Sequence, residues 1–199
     1  MKVYVLRHGR TAWNALQRYQ GITDIPLSPE GTAELIPAGF SPEVVWTSPL
    51  CRTGQTADRV FPGAPQRPVE AFREMNFGAF EGRSFRDMEQ DRDYRAWVDG
   101  GCVGRCPGGE DWAGFAGRVC PAFEALLEDA FAAGKDRLVI LAHGGVQLAV
   151  MEAYALPERN HFDWMGPCAG GYVLEAAEPL WRARKKLTLL ESVRYTKGD

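Results

Sequence analysis

The sequence predicts an α/β protein with a mainly parallel central sheet. Short apolar runs at residues 3–6, 44–46 and 138–142 have the length and β-branched content typical of buried strands. Helical patterns separate these runs, and strands that alternate with helices indicate parallel βαβ units. The chain has 199 residues, of which 45% are hydrophobic. We therefore expect one domain over residues 1–199 with a complete core.

Composition narrows the possible partners. The formal net charge is only −3, so we expect neither nucleic acid nor a membrane surface as partner. The chain opens directly into a strand and has no run of about 18 apolar residues, which favours a cytoplasmic protein. The five cysteines include Cys102-x3-Cys106 but no second Cys/His pair, so reduced thiols are favoured over a metal site.

The first strand leads directly into Arg7-His8-Gly9. Gly9 allows a sharp turn, which places Arg7 and His8 at the carboxyl end of the strand. Ligands bind at that edge of an open α/β sheet. An arginine beside a histidine there suggests an anion held next to a nucleophile or base, although a pair of surface residues would give the same pattern.

Two Ser-Pro pairs predict helix starts, each with serine as N-cap and proline as first helical residue. Ser28-Pro29 opens a helix that ends before Pro37. Ser48-Pro49 opens another, with Arg52 in its first turn. A cation near a helix N-terminus opposes the helix dipole by roughly 0.3–1 kcal/mol. Its position there is explained if an anion lies between it and the helix end.

The middle of the chain combines loops with polar surface. A loop is expected over residues 62–68, a short strand over 69–72, and a tight loop over 73–82 because of its glycines. That last loop carries Glu74 and Glu81, and composition does not choose between them as acids. Residues 83–99 predict one or two surface helical turns, with four apolar anchors: Phe85, Met88, Tyr94 and Trp97.

The third informative stretch follows a turn at residues 107–110. An apolar stripe from Trp112 to Ala130 predicts a long core helix that ends at Gly134. The strand at 138–142 then leads into His143-Gly144-Gly145 and a helix over 146–154. His143 thus occupies the same kind of position as His8. In the tail we expect a turn at residues 170–171 and strands over 172–176 and 187–192.

These residues together favour phosphoryl transfer. Two arginines can bind phosphate through planar bidentate hydrogen bonds and roughly balance its charge. Neutral imidazole is a competent nucleophile, given a reference pKa of about 6.5. The sequence has no Walker motif and no obvious Mg²⁺ carboxylate cluster. We therefore expect a mechanism through phosphohistidine that uses no metal and no cofactor.

The segment Arg7-His8-Gly9-x-Thr11-x-Trp13-Asn14 resembles the signature of the histidine phosphatase superfamily, which includes cofactor-dependent phosphoglycerate mutases. The resemblance continues over about residues 1–150, in the segments 27–31, 48–57, 74–82, 107–110 and 143–145. It implies a phosphoglycerate mutase-like fold, a three-layer α/β/α sandwich, with a small cap-like segment at about residues 75–110.

The resemblance also implies roles for individual residues. His8 would be the phosphorylated nucleophile and Glu74 the general acid, whereas Glu81 would be structural. The phosphoryl oxygens would be held by Arg7, Arg52 and His143. Further substrate contacts would come from Asn14, Gly21 and Gly144. The sequence departs from the family at Arg10, where glutamate is common.

Several functions remain open within this resemblance. Mutases of the family carry a sizeable insertion where this chain has only residues 83–106, which favours a phosphatase. A catalytically inactive phosphate-binding module would be expected to have lost a catalytic residue. The partner would be a small phosphate ester, as in the bacterial phosphatases that include α-ribazole-5′-phosphate phosphatases, and a homodimer is an open option. Six aromatic residues could stack a base or belong to the core: Phe77, Phe80, Trp97, Trp112, Phe162 and Trp164.

Overall fold

A seven-stranded sheet forms the centre of the molecule in the computed structural model, which describes residues 1–197. The strand order is β3-β2-β4-β1-β6-β7-β5. Four of the six neighbouring pairs are parallel, and β6 runs antiparallel to both β1 and β7. The strands are β1 Lys2–Arg7, β2 Val45–Thr47, β3 Gln66–Pro68, β4 Arg137–Ala142, β5 Ala155–Leu156, β6 Gly170–Glu175 and β7 Leu187–Arg194. The predicted fold class is confirmed.

Helices cover both faces of the sheet. In β1, Val3 and Val5 join a core that includes α5 and α6, whereas Tyr4 and Leu6 join a second core on the side of α3. This alternation follows from the two-residue period of a strand. The α-helices are α1 Ala12–Ala15, α2 Pro29–Glu34, α3 Cys51–Val60, α4 Arg92–Asp99, α5 Trp112–Ala132, α6 Gly144–Tyr154 and α7 Glu178–Arg184. The arrangement has three layers, as expected.

Local signals located several helix ends correctly. The Ser28 hydroxyl accepts the Gly31 amide at 2.9 Å, and α2 ends at Glu34. Gly134 follows α5 with a φ of +61°, a conformation that favours glycine. Met88, Tyr94 and Trp97 are buried as predicted, but Phe85 is exposed and does not anchor the surface segment. No helix within residues 1–197 is both long and apolar enough to cross a membrane.

Two elements near the second strand differ from the prediction. Helix α3 begins at Cys51 instead of Pro49, because the Ser48 hydroxyl accepts the Leu50 amide and forms a turn before the helix. Strand β3 lies inside the expected loop, where it pairs with β2. The expected strand after it is instead a 3₁₀ helix, Glu70–Phe72. Here pairing with the sheet overrides the local preference.

The glycine pair at residues 170–171 was wrongly interpreted as a turn. Both glycines are buried within β6. A Cβ on Gly171 would lie 2.1 Å from the Val5 carbonyl oxygen, so glycine here permits close approach of two strands. Helix α6 begins at Gly144, two residues before the predicted start. Helix α7 and the 3₁₀ helix His161–Trp164 were not predicted.

Candidate active site

The carboxyl ends of the central strands bring the predicted histidines together. Arg7 ends β1 opposite Ala142 at the end of β4. His8 and His143 follow directly, and the His8 amide donates to the Ala142 carbonyl at 3.0 Å. The two imidazole rings pack edge to face, with centroids 5.3 Å apart.

The hydrogen bond made by His8 fixes which ring nitrogen is free. Its Nδ1 lies 2.7 Å from the Gly9 carbonyl oxygen. Since a carbonyl only accepts, Nδ1 carries the proton and Nε2 of the neutral ring retains its lone pair. Burial lowers the pKa of His8 well below its usual value, and the charges of Arg52 and Arg7 lower it further. His8 therefore has the protonation state of a nucleophile.

Two arginines lie beside His8, each anchored by backbone carbonyls. Arg52 is fully buried and donates to the carbonyls of Gly21 at 2.8 Å and Thr23 at 3.0 Å. Arg7 donates to the Gly166 carbonyl at 2.9 Å. Within the described residues, the buried Nε of each arginine has no hydrogen-bond partner. Each guanidinium is thus held in place with at least its Nε–H still available.

His143 is fully buried, and neither of its ring nitrogens has a partner among residues 1–197. Burial lowers the pKa of His143 well below its usual value, with further contributions from Arg52, His8 and Arg7. Six buried side-chain polar atoms in the described chain lack a partner, and four of them belong to Arg7, Arg52 and His143. Because buried polar groups are normally paired, this cluster indicates a site built to hold a polar ligand.

Glu74 lies at the N-terminus of α6. One carboxylate oxygen accepts the Gly145 amide and the other accepts the Met75 amide, both at 2.9 Å. A Cβ on Gly145 would lie 2.3 Å from the Glu74 carboxylate, so glycine is needed for this contact. Burial raises the pKa of Glu74, opposed by these two hydrogen bonds and by Arg52 and Arg7. A raised pKa favours a carboxyl that can donate a proton.

The other acid of the same loop is placed differently. Glu81 accepts the Ile22 amide at 2.9 Å and the Thr23 hydroxyl at 2.6 Å. It therefore fixes the loop whose carbonyls bind Arg52. A Cβ on Gly21 would lie 2.0 Å from the Met75 carbonyl. In this structure Gly21 thus holds Arg52 through its carbonyl and allows close packing of two loops.

Two further predicted residues, Asn14 and Gly144, line one cavity of about 290 Å³ together with Arg7, His8 and Glu74. The other predicted residues, Gly21, Arg52 and His143, are not among the cavity-lining residues of the described chain. Gly144 lies beside Arg7, and a Cβ on it would be 3.5 Å from the guanidinium carbon. Asn14 also lines the cavity, while its Oδ1 accepts the Thr11 amide at 3.0 Å. We call five residues the floor of this site: Arg7, His8, Arg52, Glu74 and His143.

Sequence reasoning missed Gln20, which also lines the cavity. Its side-chain oxygen Oε1 accepts a hydrogen bond from the Thr11 hydroxyl at 2.6 Å, and its buried Nε2 has no partner within residues 1–197. Gln20 therefore offers an unpaired side-chain amide nitrogen at the cavity. Its position directly before Gly21 was the only local signal.

Aromatic and apolar side chains form the outer part of the cavity. We call six of them the mouth: Tyr19, Phe77, Trp97, Trp112, Phe162 and Met165. Of the six aromatic residues singled out from the sequence, Phe80 and Trp164 are core, and the other four line this cavity. A hydrophobic wall around a few convergent polar groups is typical of a small-molecule site.

Comparison with known families assigns this chain to a class of proteins. The model of the histidine phosphatase superfamily (branch 1) matches residues 3–186. The chain belongs to the histidine phosphatase superfamily.

Relatives carry two different names. A probable phosphoglycerate mutase GpmB of Salmonella choleraesuis is 32% identical over 137 residues, which span 64% of this chain and 64% of that protein. A phosphoglycerate mutase structure from Thermus thermophilus is 28% identical, with a TM-score of 0.71 over 100% of both chains. An alpha-ribazole phosphatase structure from Shigella flexneri shares the fold, with a TM-score of 0.80 and 24% identity over 100% of this chain and 99% of that one. The phosphoglycerate mutase-like fold is confirmed.

Proposed function

We propose that the protein is a metal-independent phosphomonoesterase that works through a phosphohistidine intermediate on His8. The unpaired buried N–H groups around the unprotonated Nε2 of His8 carry this proposal. An incoming phosphoryl group would supply the acceptor oxygens that these donors lack. Preorganised donors of this kind stabilise the charge of a transition state.

In the first step, His8 Nε2 attacks phosphorus, and the bond from phosphorus to the ester oxygen breaks. Glu74 donates its proton to the departing oxygen, so the product leaves as an alcohol. Arg7, Arg52 and His143 hold the phosphoryl oxygens throughout. Burial of Glu74 raises its pKa and thereby supports the protonated carboxyl that this step needs.

In the second step, the ionised Glu74 takes a proton from water as that water attacks phosphorus. The bond between phosphorus and Nε2 breaks, phosphate is released, and Glu74 is protonated again. The two arginines balance the negative charge of the phosphoryl oxygens, so the scheme uses no metal ion and no cofactor.

The mouth supports an ester whose alcohol part is apolar or aromatic, and α-ribazole-5′-phosphate is one candidate of that kind. A phosphoglycerate mutase is the alternative, favoured by the similarity to the GpmB proteins. Its substrate carries a carboxylate, which calls for cations outside the phosphoryl site. Arg18 is the one lysine or arginine besides Arg7 among the cavity-lining residues of the described chain, which favours the phosphatase. The intact floor disfavours an inactive binding module.

Trapping of the intermediate tests the proposal. After brief exposure to a ³²P-labelled phosphate ester, the wild type should carry label that is acid-labile and alkali-stable. His8→Ala should carry none and should hydrolyse p-nitrophenyl phosphate at background rate. His161→Ala, which removes another cavity-lining histidine, should retain the label. Acid-stable label, or label on the His8→Ala variant, contradicts the mechanism, and rapid isomerisation of 3-phosphoglycerate favours the mutase.

A further inference from the structure

We infer that Arg118, together with Glu110, is a positioning residue that holds the Glu74 carboxyl where it can exchange a proton with the reacting oxygen. The inference rests on the proposed function, in which Glu74 is the general acid. Neither Arg118 nor Glu110 lines the cavity among the residues described. Their effect on the reaction therefore passes through the backbone of the loop that carries Glu74.

Arg118 projects from α5 and uses all three of its guanidinium nitrogens. Nη1 donates to the carbonyls of Ala71 and Arg73, both at 2.8 Å. Nη2 donates to the Glu74 carbonyl at 3.0 Å and to the Glu110 carboxylate at 2.9 Å. Nε donates to the other Glu110 oxygen at 2.9 Å. The Arg118 side chain thus fixes the backbone carbonyls of three residues, and the last of these residues is Glu74 itself.

Glu110 fixes the same loop just beyond Glu74. Its carboxylate accepts the Asn76 amide at 2.8 Å, and its own amide donates to the Asn76 carbonyl at 2.9 Å. A Cβ on Gly109 would lie 2.3 Å from that same carbonyl. The glycine therefore allows the turn at residues 107–110 to approach the acid loop, the segment at residues 73–82 that carries Glu74. This contact explains a sequence motif that has no part in the chemistry.

The loop needs such support because it has little structure of its own. Between β3 and α4 it contains only two 3₁₀ helices, Glu70–Phe72 and Gly78–Phe80. Glu74 lies between these, with its carboxyl bonded to α6 through Gly145 and its carbonyl bonded to α5 through Arg118. Helices α5 and α6 pack against each other in one core. Arg118 therefore ties the acid to the same rigid body that carries His143.

Arg–carboxylate pairs with two parallel hydrogen bonds fix geometry as well as charge. The pair of Arg118 and Glu110 is only partly exposed, 27% and 28% for the two side chains. Loss of this pair would leave the loop free to shift, and a displacement of about 1 Å can lower a rate by roughly 10²-fold. Proton transfer by Glu74 should be the step that suffers.

The test compares Arg118→Gln with Glu74→Gln on two esters, the aryl ester p-nitrophenyl phosphate and an alkyl phosphate. An alkoxide leaving group needs the proton from Glu74, whereas nitrophenolate needs little help. The measured quantity is kcat/KM, which reports only the first half-reaction and so excludes the later step in which Glu74 activates water. Glu74→Gln should lower kcat/KM for the alkyl ester about 10²–10⁴-fold and kcat/KM for the aryl ester much less. Arg118→Gln should lower the ratio of alkyl to aryl kcat/KM about tenfold or more. In the double variant, Arg118→Gln should not lower that ratio further.

Arg182→Gln is the matched control, because it removes an arginine that pairs with Glu128 and Glu178 away from the cavity. Its ratio should equal that of the wild type. The ratio does not depend on the amount of active enzyme, so partial unfolding does not change it. If Arg118→Gln does not fold, Glu110→Gln is expected to lower the ratio in the same direction.

Two other outcomes overturn the inference and can be told apart. If Arg118→Gln slows both esters equally while Glu74→Gln remains selective, the acid is correctly identified but Arg118 does not position it. If Glu74→Gln itself lowers kcat/KM equally for both esters, the assignment of Glu74 as acid fails, and the inference fails with it.

Discussion

The floor and the mouth belong to one site but are built in different ways, and of the floor residues only Arg7, His8 and Glu74 line the cavity itself within the described chain. Arg7, His8 and His143 lie at or directly after the ends of parallel strands, and Arg52 lies in the first turn of the helix that follows β2. The mouth residues come from the loop after α1, the acid loop, α4, the start of α5 and the segment around a 3₁₀ helix. The strand ends and α3 therefore position four of the five floor residues, whereas Glu74 and the mouth come from loops and helices around them.

The polar atoms of the two regions also differ. Four buried polar atoms of the floor, on Arg7, Arg52 and His143, are unpaired within the described chain, a state that costs free energy unless a ligand pairs them. Mouth side chains instead pack on one another. The Tyr19 ring lies edge to face with the rings of Phe77 and Trp97, at centroid distances of 5.2 Å and 5.7 Å. Substitution of the floor residues that hold the phosphoryl oxygens, Arg7, Arg52 and His143, should therefore affect all esters alike, whereas substitutions in the mouth should change selectivity.

Among the substitutions that test the comparison of floor and mouth, the largest effect is expected for Arg7→Gln. Loss of one oxyanion donor commonly costs about 10²–10³-fold, and kcat/KM should fall by that factor for aryl and alkyl phosphates alike. Arg18→Gln is the matched control, because Arg18 lines the same cavity but donates to the Gly82 carbonyl near the surface. It should change kcat/KM much less. A loss in Arg7→Gln that differs more than about tenfold between the two ester classes would break the division into floor and mouth.

A smaller and selective effect is expected for Phe162→Ala. Phe162 is 55% exposed, so its removal should leave the fold intact. Aromatic contacts contribute roughly 0.5–1.5 kcal/mol, so kcat/KM for an ester with a bulky aromatic alcohol should fall up to about tenfold. Methyl phosphate, which does not reach the mouth, should be hydrolysed as before. Phe85→Ala removes an equally exposed ring outside the cavity, at 48% exposure, and should change neither. Equal losses for both esters would show that Phe162 does not contact the alcohol.

The floor could largely be predicted from the sequence because its signals are local. A buried strand followed by Arg-His-Gly or His-Gly-Gly places those residues at the sheet edge, and the structure confirms both positions. The choice between Glu74 and Glu81 had no local basis and came only from the family resemblance. In the structure, Glu74 contacts the N-terminus of α6 and Glu81 contacts the loop after Gln20.

The supporting contacts could not be predicted, because they join residues far apart in the chain. Arg118 gave no signal as a polar residue within an apolar helix pattern, yet it bonds to Ala71, which is 47 residues away. The glycines at 170–171 gave the signal of a turn, although they serve close strand contact. A local pattern reports which conformations a residue allows. It does not report which neighbour requires that conformation.

The smallest predicted effect is the contribution of His143 to the free energy of unfolding of the protein at low pH. Burial lowers the pKa of His143 well below its unfolded value of about 6.5. As pH falls below about 6.5, the unfolded chain binds a proton that the folded chain does not, so stability decreases with falling pH. One such histidine contributes at most about 1.4 kcal/mol per pH unit. His143→Gln should therefore lose less stability than the wild type between about pH 7.5 and about pH 5.5, measured by urea unfolding.

The comparison isolates His143 because His8 and Glu74 titrate in both proteins. Glu74 has the opposite sign, since its raised pKa favours the folded state as pH falls, and its contribution cancels in the difference. His161→Gln, a histidine outside the floor that pairs with Glu152, is the control variant. If His143→Gln loses as much stability as the wild type over this interval, His143 is protonated in the folded protein. It would then contact the phosphoryl group as a cation. The floor would in that case hold three positive groups, His143 together with Arg7 and Arg52.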